Sequence, residues 1–503
     1  MYKKMMIKND KQLITIIIPA IVVHNNDPHT GIPFMPHMAA YLAGALKEKY
    51  NLKVIDCLGS DHSIVRKFGN FTLIGIDEDD VLSRIDKDSN YLFIYCRTIE
   101  DLFSVEKIIK KIKENTNKKI ILFENIQTTN SFSLRKIHKY LFDLGADSLI
   151  FGEPELTSFE ALNFFNGNRD DKIADFSYKK ANGEILVNNE KFFNKKLDEI
   201  KFPYWESFDL DGYWNIGFAH APIKKNTKFL PIITSRGCPY RCKFCVSPSL
   251  NPTWRGRSAK NVVDEIEYFS ENMGIKDFHV SDLNPTVNDE RTQEICNEII
   301  KRKLKIEWKF AQGTKIETIK SLTTLDLLKK SGLSFFSFSP ESGSSTLMKK
   351  LNKPFDYKKG LEIVKYLDKQ KIRTQACFII GTPDESFLDK LKSLIYSIKV
   401  TINGVDEIAV FIYSPIPGSE LADRISGFKH YSELTRTPEW RKDYLYLKIT
   451  RFFMYATFFL TKLIFQPIKL FGNIERILNK NFETKMEMSI YKIFKIKNLK
   501  IKN

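Results

Sequence analysis

The chain has 503 residues, 43% apolar and 13% aromatic, too long for one ordinary domain and rich enough in apolar side chains for several cores. Its 78 Lys and Arg against 61 Asp and Glu give a formal charge of +17, spread too thinly to disorder the chain by self-repulsion. Seven cysteines, an odd count with three crowded into eight positions, exclude a secreted disulfide framework and point to a reducing cytoplasm.

In chain order, residues 13–23 form the first apolar run. Pro19, the polar His24-Asn25-Asn26-Asp27 that follows, and the lack of a small-residue cleavage site predict a buried strand rather than a signal peptide. Further β-branched runs at 52–56, 91–95, 119–123 and 148–151 alternate with helical stretches at 38–49 and 104–113. That rhythm predicts a Rossmann-like, doubly wound domain over 1–155, with a ligand crevice at the carboxyl ends of its strands. Residues 156–229 are polar, carry a hairpin turn at Lys180-Ala181-Asn182-Gly183-Glu184, and read as a connector.

The βα rhythm resumes over 230–428, with strands expected near 230–233, 277–280, 307–311, 335–339, 374–380 and 407–413. Six repeats predict a partial (β/α)6 barrel, so the fold class is α/β throughout. Residues 429–503 turn helical, aromatic and basic. From 441 onward 14 Lys or Arg face 4 Asp or Glu, and this excess points to an anionic partner, a membrane surface before nucleic acid. No apolar run reaches the ~20 residues of a spanning helix. Aromatic residues over 440–471, punctuated by Lys448, Arg451 and Lys462, suit either a helix lying in a membrane interface with its cations reaching phosphates or a helix pair packed on the barrel. The Ile- and Lys-rich stretch after Tyr491 is expected to be frayed and solvated.

Right after the first barrel strand stands Cys238-Pro239-Tyr240-Arg241-Cys242-Lys243-Phe244-Cys245. Three thiols at these spacings can hold an iron–sulfur cube and leave one iron open; a zinc knuckle would need a fourth ligand from elsewhere. Cys57, Cys96, Cys296 and Cys377 read as small buried core residues.

The Cys-x-x-x-Cys-x-x-Cys loop resembles the radical S-adenosylmethionine (SAM) superfamily, and the resemblance extends through Glu341-Ser342-Gly343-Ser344, Gly381-Thr382-Pro383-Asp384-Glu385 and Pro415-Ile416-Pro417-Gly418-Ser419. It implies a [4Fe–4S] cluster on Cys238, Cys242 and Cys245, SAM chelated to the open iron, and one-electron cleavage to a 5′-deoxyadenosyl radical fed by flavodoxin or ferredoxin. It also implies that Phe244 and Gly381 lie against the adenine and that Glu341, with Ser342 beside it, accepts from the ribose. Asp282 and Asn284 would take the SAM amino group, although Asp282 also suits a helix-capping role.

A Rossmann-like module ahead of such a barrel resembles the cobalamin-binding branch, which includes methyltransferases and the anaerobic chlorophyll-ring cyclase. That resemblance admits cobalamin between the domains, with His29 of Asp27-Pro28-His29-Thr30-Gly31 as a candidate axial ligand. Glu124 and Asn125 stand where relatives commonly carry paired glycines that admit the nucleotide tail, so a cobalamin-free module is the alternative. The expected reaction is methylation or rearrangement of an unactivated carbon in a lipid, cofactor or natural-product precursor. An enzyme acting on RNA ranks below this, since nothing resembles an RNA-binding appendage.

Overall fold

The β-branched runs of the first 150 residues become parallel strands, because side chains branched at Cβ pack well on a pleated surface buried on both faces. In the computed structural model, which describes residues 11–167 and 172–497, these strands are β1 (Leu13–Ile18), β2 (Asn51–Asp56), β3 (Tyr91–Cys96), β4 (Lys119–Glu124) and β5 (Ser148–Ile150). Two antiparallel strands, β6 (Phe176–Lys179) and β7 (Ile185–Val187), extend the same sheet in the order β7-β6-β5-β4-β3-β1-β2. They flank the turn expected at Lys180–Glu184, closed by the Lys180 N–H donating to the Glu184 carbonyl. The helices α1 (His37–Leu46), α2 (Leu102–Asn115) and α3 (Pro154–Phe165) belong to this first unit.

The single strand expected over 13–23 is two. Pro19 has no N–H to give to the ladder, and after it Ile21–His24 leaves the main sheet to pair antiparallel with Phe71–Ile74 in a small three-stranded sheet. This detour swings the loop carrying Asp27 and His29 out over the second unit.

That unit has six parallel strands in sequential order: β8 (Phe229–Ile232), β9 (Asp277–Val280), β10 (Glu307–Thr314), β11 (Leu333–Glu341), β12 (Arg373–Ile380) and β13 (Glu407–Ile412). The crossovers include α4 (Ala259–Met273), α5 (Asp289–Lys301), α6 (Leu322–Lys330), α7 (Tyr357–Lys369) and α8 (Phe387–Ile402). Local signals fix their ends: α4 starts at Ser258, whose hydroxyl accepts from the Asn261 N–H, and stops at Gly274 with φ of 68°. The doubly wound sheet and partial barrel read from the sequence are thus the observed architecture.

Strands β8 and β13 do not pair, so the barrel has an open side. After β13 come α9 (Tyr444–Phe465), α10 (Pro467–Asn479) and α11 (Lys485–Lys497). α11 fills the gap. Its first backbone N–H, at Lys485, donates to Glu407 of β13 (3.0 Å), the Met488 sulfur accepts from the Ala219 N–H (3.3 Å), and the Lys492 ammonium bonds the carbonyls of Pro28 and Thr30 (2.6 Å each). The frayed end expected after Tyr491 is helix as far as Lys497, held by these contacts; residues 498–503 lie outside the described residues.

α9 packs one face on the barrel through Leu447, Met454 and Phe458, each worth roughly 1.5–3 kcal/mol when fully buried. Two of the cations expected to reach phosphates face inward instead. Arg451 bonds the Arg436 carbonyl and the Thr437 hydroxyl, and Lys462 is buried against the Asp406 carbonyl.

Candidate active site

The carboxyl ends of the barrel strands face the loops of the first unit across a cavity of about 590 Å3. Cys238, Cys242 and Cys245 line it together with Phe244, Asn284 and Glu341. The thiol loop leaves the barrel through Ser235–Arg236, which pairs antiparallel with Arg255–Gly256. Arg236 is buried and forks onto both carboxylate oxygens of Glu155 from α3 (2.5 and 3.2 Å), while Arg255 pairs with Glu153 (2.5 Å). Buried bidentate pairs of this kind fix geometry, and here they tie the root of the loop to the first unit. Farther along, the Lys243 N–H donates to the Leu351 carbonyl and the Asn352 amide to the Arg241 carbonyl.

Burial and the Cys245 thiol push Cys238 up to about 11; burial pushes Cys242 up to about 12, against the pull of the Lys353 ammonium. Such thiols ionise only when a cation arrives to bind them. Among the described residues no trio of His, Cys, Asp or Glu converges tightly enough for a single metal ion. A cube bound at three corners needs no such convergence, since each thiolate takes its own iron. The donor set therefore fits an iron–sulfur cluster and disfavours the zinc knuckle.

Glu341 ends β11 in the left-handed region (φ 61°), which turns its carboxylate into the cavity, where the Lys353 ammonium holds it at 2.5 Å. Lys353 also bonds the Ser339 carbonyl (2.9 Å) and lies over the Phe244 ring (5.8 Å). Asn284 lines the cavity. Asp282 does not: its carboxylate accepts from the Thr234 N–H and hydroxyl and the Ser235 hydroxyl, at 2.5–2.7 Å, behind the wall. Ser342 likewise spends its hydroxyl on Ser393 (2.9 Å) and the Ser344 N–H (3.1 Å). Gly381, at φ 78°, lies against α9, where a Cβ would meet Leu447 Cδ1 at 2.6 Å, and its N–H donates to Glu385.

On the opposite wall His29 packs edge-on to Phe411 (5.0 Å), and burial pulls its imidazole down to about 4. Ile32, Phe34, Thr129 and Asn130 continue that wall. Glu124 lies behind it, with its carboxylate accepting from the Leu134 and Gly152 N–H groups (2.9 and 2.8 Å) and raised by burial to about 7. Asn125 bonds the Arg97 carbonyl and the Gln127 N–H. The polar groups of both side chains are thus already used within the first unit.

Several lining residues carry no sequence signal: Gln312, whose amide bridges the Gln127 and Ser281 carbonyls, Arg436, Lys485 and Lys492; Arg451, read as a cation of the aromatic helix, lines the cavity too. Cys377 is buried as expected and also faces the cavity.

The Radical SAM superfamily profile matches residues 232–425. An uncharacterized methyltransferase of Pyrococcus horikoshii is 26% identical over 405 residues, 80% of each chain. Cytidylyl-2-hydroxyethylphosphonate methyltransferase of Streptomyces wedmorensis is 24% identical over 448 residues, 82% of this chain and 81% of that one. The solved structure of the radical SAM methyltransferase TsrM from Kitasatospora setae, with cobalamin and a [4Fe-4S] cluster bound, superposes with a TM-score of 0.63 at 14% identity, covering 89% of this chain and 91% of that one; the likeness shows a shared fold.

Proposed function

We propose that this chain, whose residues 232–425 are a radical SAM domain, is a radical SAM enzyme that methylates or rearranges an unactivated carbon of a small molecule. The observation that carries the reading is three thiols on the loop after β8, in one cavity with Glu341 and Asn284. When bound, a [4Fe–4S] cluster on Cys238, Cys242 and Cys245 and SAM beside it supply a one-electron cleavage to a carbon radical, and cobalamin would supply a methyl group. The protein's own part is positioning and exclusion of water. Lys353 holds one oxygen of the Glu341 carboxylate in the cavity, which leaves the other to accept from a ribose hydroxyl. Phe244 offers an apolar face, Asn284 an amide for the amino acid end, and α11 shuts the open side of the barrel against solvent.

The first-unit wall fits the ring of a corrinoid: apolar at Ile32 and Phe34, with Thr129 and Asn130 as partners for ring amides. The tail does not fit where relatives admit it, because Glu124 and Asn125 fill that place. Reconstitution under anaerobic conditions with iron, sulfide and either hydroxocobalamin or tail-less cobinamide is expected to retain iron in both cases and to retain the two corrinoids equally. Iron without cobalt in either case would mean a radical SAM enzyme without cobalamin. Strong preference for the tailed form would overturn the filled-slot reading.

Flavodoxin or ferredoxin remains the class of electron donor we propose. Among the described residues no helix is long and apolar enough to cross a membrane. α9 and α10 nevertheless expose Phe452 (67%), Ile468 (87%) and Leu478 (76%), and α8 continues the face with Phe387 (69%) and Leu388. The exposed Lys392, Lys399 and Lys448 flank it. We read this face as a lipid contact, with apolar side chains dipping below the headgroups and lysines meeting their phosphates. The full chain is expected to co-sediment with vesicles of phosphatidylglycerol and phosphatidylcholine, and Phe452→Ser with Ile468→Ser to lose most of that binding. No sedimentation of the parent protein would remove the membrane from the reading.

A further inference from the structure

The end of the cavity marked by His29 and Phe411 carries an unusual charge balance. Arg436, Arg451 and Lys492, from three separate segments, line the cavity there, and each lowers the tendency of His29 to take a proton. Among the described residues none of the three has a carboxylate within salt-bridge distance. Arg436 bonds the Asn130 side chain (2.7 Å), Arg451 the Thr437 hydroxyl (3.0 Å), and Lys492 only the Pro28 and Thr30 carbonyls. Lys492 is buried, and burial pulls its ammonium down to about 8. Asp27 and Glu100 are carboxylates whose charge this group feels: one Asp27 oxygen accepts from the His29 N–H (2.8 Å), and burial raises Glu100 to about 7.

Three cations against the Asp27 carboxylate and a Glu100 carboxyl raised by burial leave an excess of positive charge at this end of the cavity. Lys492 is buried and Arg436 and Arg451 are half-buried, so holding them here without a carboxylate has a cost that a bound anion would offset. Two guanidinium groups from different directions suit an anion with several equivalent oxygens. Elsewhere in the cavity the charges are matched: Lys353 pairs with Glu341, Lys315 with Glu317, and the Lys485 ammonium acts on the Glu407 carboxylate. We propose, resting on the radical SAM reading, that Arg436, Arg451 and Lys492 hold a dianionic phosphoryl or phosphonyl group of the substrate, so that the carbon presented to the thiol-loop end of the cavity belongs to a phosphate ester or phosphonate. The distance between the two ends then acts as a ruler: the anion is fixed at one wall and the reacting carbon at the other.

The test uses the full chain with its cluster reconstituted and no corrinoid added. Calorimetric titration with phenyl phosphate is expected to show saturable binding that weakens at least tenfold, about 1.4 kcal/mol, in Arg451→Gln and again in Lys492→Gln. Benzoate, a monoanion of similar shape, is expected to bind at least tenfold more weakly than phenyl phosphate. Arg451→Gln loses only bonds to a carbonyl and a hydroxyl, so folding is expected to persist; cleavage of SAM under dithionite checks this in every variant. Absence of phenyl phosphate binding with SAM cleavage intact overturns the proposal and leaves the radical SAM reading standing. Equal affinity in both variants, or equal affinity for benzoate, also overturns it. Displacement of phenyl phosphate by cobalamin but not by cobinamide would assign the three cations to the phosphate of the cobalamin tail and overturn it as well.

Discussion

Cys242→Ala is expected to give a colourless protein that no longer turns SAM into 5′-deoxyadenosine under dithionite, while its unfolding temperature stays within a few degrees of the parent. Cys242 is the middle thiol of the loop, and its electrostatic coupling runs to both Cys238 and Cys245. Removing it leaves an iron corner without its ligand, in a site where burial makes the Cys238 thiol resist ionisation. The fold is insensitive to the change because the loop is anchored elsewhere: at its root by Arg236 on Glu155, and farther along by Lys243 on Leu351 and Asn352 on Arg241. Iron analysis and product chromatography check the result. Retained turnover would remove Cys242 from the ligand set.

The second large effect is expected at Gly237→Ala. Gly237 has φ of 77°, and an added Cβ would lie 2.2 Å from the Thr253 carbonyl and 2.8 Å from the Asn251 side-chain oxygen. Both neighbours serve the loop, since the Asn251 carbonyl accepts from the Cys238 N–H and its amide oxygen from Arg255. The alanine must move backbone, so a cost of about 3–4 kcal/mol is expected, the left-handed conformation itself accounting for ~1–2 kcal/mol of it. Gly183→Ala is the control: it also has positive φ (87°), but nothing lies within 4 Å of its Cβ, so only the conformational part is expected. Thermal unfolding separates the two, and iron loading should fall in the first alone. Full iron and an unchanged melting temperature in Gly237→Ala would contradict the observed loop.

Much of this architecture is legible in the sequence, because both sheets are built from short β-branched runs separated by helical periods, and because the thiols sit in one local motif. What periodicity does not convey is where a polar face points. The spacing of Arg451 and Lys462 along α9 marks a polar stripe, and only the packed structure shows that the stripe meets a cavity and a buried carbonyl rather than phosphates. Asp282 shows the same limit: its position after β9 is readable, yet its partners Thr234 and Ser235 come from the neighbouring strand's end. Pro19 is the opposite case, a single residue whose missing N–H announces a break that an apolar run conceals. The cations around His29 come from segments more than four hundred residues away in the chain, a distance at which no local pattern carries information.

The closure of the barrel by α11 has a temporal side. Domains fold roughly in the order in which they are synthesised, and some seventy residues separate β13 from α11. The six strands and the thiol loop are therefore synthesised before the helix that covers their open flank, and the thiols stay reachable from that flank until it arrives. Once α11 has docked, the same route is blocked by a helix tied to β13 and to the loops of the first unit. Loading and sealing are thus separated along the chain, and a mature protein stripped of its cluster is expected to reload slowly unless that helix first detaches.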